Sequence, residues 1–121
     1  MAVKILSRVI LFVNDMNKMK EFYSYVLGLP IFDDSDPGFI ILDAGSLQLC
    51  LHQIPKKYAV KNSEPKEESA TKIVFFSDDV ENERTELMAK NVRMKKTIFW
   101  NEIAFCDGFD PEGNIFQISS R

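Results

Sequence analysis

An internal repeat constrains this chain more than any other feature of its sequence. Shifted by 64 residues, Val9-Ile10-Leu11-Phe12 falls on Ile73-Val74-Phe75-Phe76, Asp15 on Asp79 and Met16 on Val80. Each copy reads as an apolar strand, an Asp able to cap a helix, an amphipathic helix and then short strands. One βαβββ unit alone leaves half its apolar surface bare, whereas two can bury both helices against a shared pair of sheets. Many α+β chains place apolar strands before capped helices, but here the whole order of elements recurs. The fold class expected is α+β, built from two βαβββ repeats. With 121 residues and 13.9 kDa, both copies fit one domain.

The first copy is expected over residues 3–53. Val3–Val13 reads as a strand, and Asp15 caps a helix whose stripe is Met16, Met19, Phe22, Tyr23, Val26 and Leu27. Gly28 closes that helix, with Pro30 just beyond. Strands follow at Leu29–Asp33, Phe39–Ala44 and Ser46–Gln53, punctuated by Asp36-Pro37-Gly38 and Ala44-Gly45. Residues 54–70 are rich in Lys, Glu and Pro and poor in apolar groups, so they read as a mobile connector. The second copy, 71–119, holds a strand at Thr71–Ser77 and a helix capped by Asp78 or Asp79 with Val80, Leu87 and Met88 buried. Its further strands are Val92–Phe99, Glu102–Cys106 and Ile115–Ser119.

Charge and composition exclude several functions. Fifteen Lys and Arg against 18 Asp and Glu leave a net charge of −3, too acidic for an electrostatic nucleic-acid binder. No apolar run approaches the ~18–20 residues of a membrane span. Val9–Val13 meets Asn14 and Asp15 at once, unlike a secretory segment. Cys50 and Cys106 lack CxxC spacing and are too few for a disulfide scaffold, which favours a reducing compartment. The sequence therefore predicts a cytoplasmic protein with no nucleic-acid or membrane partner.

Val13-Asn14-Asp15, Phe22-Tyr23 and Val26-Leu27-Gly28-Leu29 together resemble the first half of vicinal-oxygen-chelate (VOC) proteins. That superfamily includes glyoxalase I, bleomycin-resistance proteins and extradiol dioxygenases. Phe109-Asp110-Pro111-Glu112-Gly113-Asn114-Ile115 resembles the turn into their last strand, and the resemblance spans Ser7 to Ile118. It implies one VOC domain over residues 1–121: a cupped mixed sheet with a ligand cleft inside and, commonly, a homodimer. The Asp110–Gly113 segment itself suits a turn in which Pro presets φ and Gly accepts φ > 0, so it speaks for fold rather than catalysis.

Enzymes of this superfamily hold a divalent metal with four side chains, mostly His and Glu. Carried over position by position, the resemblance puts these on Arg8, Gln48, Lys72 and Gln117. Arg and protonated Lys offer no lone pair, and two amides alone suit Zn, Ni or Fe poorly. The expectation is no metal and no cofactor. His52, the single histidine, shares a strand face with Cys50 and Gln48. It is either part of an unusual site or a strand-end residue beside a structural cysteine.

If Arg8 faces the cup, so do Ile10 and Phe12, and likewise Lys72 with Val74 and Phe76, and Gln117 with Ile115 and Ser119. The cations could instead solvate at strand mouths or pair with Glu102. The ligand-binding candidates are Arg8, Phe12, Gln48, His52, Lys72, Phe76, Trp100 and Gln117, suited to a small molecule with an anionic or polar end. Trp100 reads equally as a ligand-stacking, interface or core residue. Three functions stay open. They are metal-free binding or sequestration, a metal-dependent lyase, isomerase or dioxygenase with a non-standard site, and a structural dimer with a vestigial cleft.

Overall fold

In a strand, alternate residues face opposite ways, and the first strand of this chain obeys that rule cleanly. In the computed structural model, β1 (Arg8–Val13) turns Val13 fully inward with Val9 and Leu11 partly covered, while Arg8, Ile10 and Phe12 lie open. The structure describes residues 2–59 and 63–121, in two compact units divided at residues 61 and 62.

The first unit continues with α1 (Met16–Glu21), a π-helical turn (Phe22–Val26), β2 (Ile31–Asp36), β3 (Phe39–Asp43) and β4 (Gln48–Gln53). The Asp15 side chain accepts from the Lys18 amide at 3.1 Å, satisfying a backbone donor at the helix start. Met16, Met19, Phe22 and Tyr23 are buried, and Ile40, Leu42, Leu49 and Leu51 of the sheet complete this core. Each such side chain contributes roughly 1.5–3 kcal/mol relative to exposure. Gly28 has φ of 82°, and Leu29 N–H donates to the Tyr23 carbonyl at 3.0 Å, so glycine ends the helix as expected. Strand order is β1-β4-β3-β2, with β1 and β4 parallel and the other pairs antiparallel.

Two boundaries differ from expectation. Residues 3–7 are exposed and outside the sheet, so β1 begins at Arg8. β2 begins at Ile31 because the helix exit runs through Pro30, whose carbonyl accepts from Asp43 at 2.8 Å. Its pairing passes from Ile31↔Leu42 to Asp33↔Ile41, which leaves Phe32 as the extra residue of a bulge, 66% exposed. A short 3-10 turn, Lys56–Tyr58, begins the connector, of which residues 60–62 lie outside the described residues.

The second unit contains β5 (Ile73–Phe76), α2 (Val80–Ala89), β6 (Arg93–Met94), β7 (Ile98–Trp100), β8 (Ile103–Phe109) and β9 (Ile115–Ser119). Asp79, not Asp78, caps α2, accepting from the Asn82 amide at 3.1 Å. Val80 and Leu87 are buried, as are Cys106, Phe116 and Ile118 of the strands that α2 packs against, while Met88 is exposed, contrary to the expected stripe. The strand expected at Val92–Phe99 is divided. Pairing moves from Met94↔Gly108 to Ile98↔Phe105, so β6 and β7 accommodate one extra residue against β8. β8 also outruns its expected end at Cys106. Sheet order is β5-β9-β8-β6, with β7 also paired to β8.

Asp110 is buried, and its Oδ1 accepts from the amides of Glu112 and Asn114 at 2.9 and 3.0 Å. Gly113 takes φ of 81° and donates to the Asp110 carbonyl at 2.9 Å. From the connector, Lys66 N–H donates to the Gly113 carbonyl at 2.8 Å and its Nζ to the Glu112 carbonyl at 2.6 Å. The motif is thus structural. Two mixed sheets with one principal helix in each half make the fold α+β. Among the described residues no helix is long and apolar enough to cross a membrane.

Candidate functional site

Register decides which side chains stand together, because laterally paired residues point to the same side of a sheet. In the first half, Arg8, Gln48 and Asp43 are neighbours across β1, β4 and β3. The next row on that face is Ile10, Cys50 and Ile41, and the next is Phe12, His52 and Phe39. The open face therefore grades from polar through apolar to aromatic.

The polar row is held by a bond from Arg8 Nη2 to Gln48 Oε1 at 3.1 Å. Among the described residues Arg8 makes no ion pair, so its charge meets a neutral amide. In the aromatic row, His52 lies 5.3 Å from Phe12 at a 31° tilt and 5.3 Å from Phe39 edge-on. Cys50 is fully covered in the middle row while His52 is exposed. This favours the structural reading of the cysteine.

In the second half, Val74, Gln117 and Asp107 form one row, and Phe76, Ser119, Phe105 and Ile98 the next. Lys72 Nζ sits 3.2 Å from Asp107 Oδ2, and Gln117 Nε2 donates to Asp107 Oδ1 at 3.0 Å. Lys72 is thus neutralised by Asp107, and not by Glu102. Glu102 and Asn101 instead form the turn of the β7–β8 hairpin, with φ of 65° and 48°, the left-handed pair such a turn demands. Phe76 is 72% and Trp100 63% exposed, so Trp100 is not core. Ile115 and Ser119, placed by the sequence on the open face with Gln117, are buried.

These residues do not fit a divalent metal. Arg8 and Lys72 have no lone pair, Gln48 Oε1 already accepts from Arg8, and the nearby carboxylate of Asp107 is occupied by two donors. The register disagrees as well. Gln48 stands beside Arg8, but Gln117 stands beside Val74, so the second half does not repeat the pairing of the first. Among the described residues no group of three His, Cys, Asp or Glu side chains is placed to hold a metal ion. Cys106 is buried beneath α2, and burial pushes its thiol above the ordinary range despite the opposing charge of Arg84.

Sequence reasoning missed Asp107, Asp43 and Phe39. Asp107 lay beyond the expected end of its strand, and the other two acquire meaning only through register. The alternation of β3 carried a signal for Phe39 and Asp43.

Solved structures share this fold. A glyoxalase/dioxygenase from Nostoc punctiforme superposes with a TM-score of 0.79 at 14% identity, covering 96% of this chain and 90% of its own. TnmS3, an antibiotic-binding protein from Streptomyces sp. CB03234, gives 0.76 at 18% identity, covering 98% and 96%. A lactoylglutathione lyase from Agrobacterium tumefaciens gives 0.74 at 18% identity, covering 97% and 93%. At such identities the likeness is one of fold. No curated protein matches the sequence significantly. The family model for the Glyoxalase/Bleomycin resistance protein/Dioxygenase superfamily matches residues 5–118, and the chain belongs to that superfamily.

Proposed function

We propose that this protein binds or sequesters a small molecule without a metal, and that Arg8 holds the anionic or polar end of that ligand. The observation that carries this reading is the Arg8 guanidinium, displayed on an open sheet face against a neutral amide. Ile10 and the Phe12–His52–Phe39 row supply apolar and stacking contact for the rest of the molecule. In the second half, Phe76, Phe99 and Trp100 are exposed aromatics, while Lys72 and Gln117 hold Asp107 in place. The antibiotic-binding protein of the same fold lends support. Residues 1–121 then act as one domain, with repeats 3–53 and 71–119 and a connector at 54–70. The free cysteines suit a cytoplasmic location.

Calorimetry with hydrocinnamate and its amide tests the reading. A charge-assisted bond contributes roughly 1.5–3 kcal/mol when shielded and less at an exposed arginine. The acid is therefore expected to bind about tenfold more tightly than the amide. Arg8→Met removes the difference, and Lys72→Met leaves it in place. Equal binding of acid and amide to the parent protein would contradict the assignment.

A further inference from the structure

Beside the Arg8 row lies a cavity of about 440 Å³, within the ~300–1,000 Å³ of small-ligand clefts. It lies wholly in the first half. Leu6 and the bulge residue Phe32 form its apolar wall, and Asp43 and Gln48 its polar floor. The bulge that displaces Phe32 from the β2–β3 register gives this ring its place there.

The polar row runs on from this floor to Arg8, which stands just outside the cavity lining. Arg8, Gln48 and Asp43 follow one another across three adjacent strands, which are about 4.8 Å apart. Arg8 reaches over Gln48, so its guanidinium is drawn toward the strand that carries Asp43. Asp43 Oδ1 accepts from the Gly45 amide at 2.9 Å, which fixes the carboxylate. Among the described residues no ion pair joins Asp43 to Arg8. A cation and an anion are therefore presented one amide apart on the same face.

We propose that this row and cavity bind an α-amino acid with an apolar side chain. Its carboxylate meets Arg8, its ammonium meets Asp43, and its side chain lies against Phe32 and Leu6. A plain acid leaves Asp43 unanswered and places two carboxylates side by side. A plain amine does the same to Arg8. A zwitterion with both charged groups on one carbon satisfies both. The proposal rests on the reading of Arg8 as the carboxylate anchor; it adds the ammonium partner and turns the apolar part toward Phe32 and Leu6 in place of the Ile10 and Phe12 rows.

The test is a calorimetric comparison of L-phenylalanine, hydrocinnamate and phenethylamine. L-Phenylalanine is expected to bind about tenfold more tightly than either fragment. Asp43→Asn, which keeps the acceptor for Gly45, brings L-phenylalanine down to the level of hydrocinnamate and leaves hydrocinnamate no weaker. Phe32→Ala weakens L-phenylalanine. Hydrocinnamate binding as tightly as L-phenylalanine overturns the amino-acid assignment while the acid anchor stands. Phenethylamine binding more tightly than hydrocinnamate, or no binding by any of the three, overturns both.

Discussion

At Gly113 a φ of 81° and the backbone carbonyl of Glu64, which a Cβ would strike, leave no room for a side chain. Gly113→Ala is expected to lower stability by at least ~1–3 kcal/mol, the usual cost of a strained backbone position. Urea denaturation measures it, and a parent-like midpoint and slope would contradict it. Cys106 makes a second case at the same scale. A thiol pushed upward carries less thiolate at any given pH, and this one is also shut away from solvent. Alkylation of Cys106 at mildly alkaline pH should therefore be far slower in the native protein than in urea. Equal rates would show an open site. Gly113 could be read in advance, because the Asp-Pro-x-Gly spacing names its own turn. Asp107 could not, since its meaning comes from Lys72 and Gln117, brought to it by pairings between distant strands.

The repeated elements begin in the same way, with an aspartate accepting from the amide three residues on. Asp79→Ala should cost about 1 kcal/mol of stability, read as a lower thermal midpoint, whereas an unchanged midpoint would show the cap to be dispensable. Such caps, and the alternation of β1, are local signals and were legible from the residues. The bulges were not. Phe32 and the segment between Met94 and Ile98 each hold one more residue than the partner strand, and such an excess is invisible until both strands are paired. Arg8 and Gln48 of the polar row came from the resemblance, but its third member, Asp43, required the β3–β4 register.

At the scale of the molecule, edge strands differ in their protection. β2 carries Asp33, Asp34 and Asp36 and two irregularities, which discourage pairing with another chain. β7 instead exposes Ile98, Phe99 and Trp100 in succession. We expect this apolar edge to be covered in a homodimer, so light scattering should give twice the 13.9 kDa chain mass. A 13.9 kDa species at high concentration would refute it. Binding that needs no metal is the central expectation, since neither Arg8 nor Lys72 offers a lone pair and Gln48 Oε1 already accepts from Arg8. The direct measurement is the affinity for hydrocinnamate of protein dialysed against EDTA, repeated after adding Zn or Ni. The same Kd within about twofold is expected in both states. A loss of tenfold or more on chelation, restored by the metal, would contradict it.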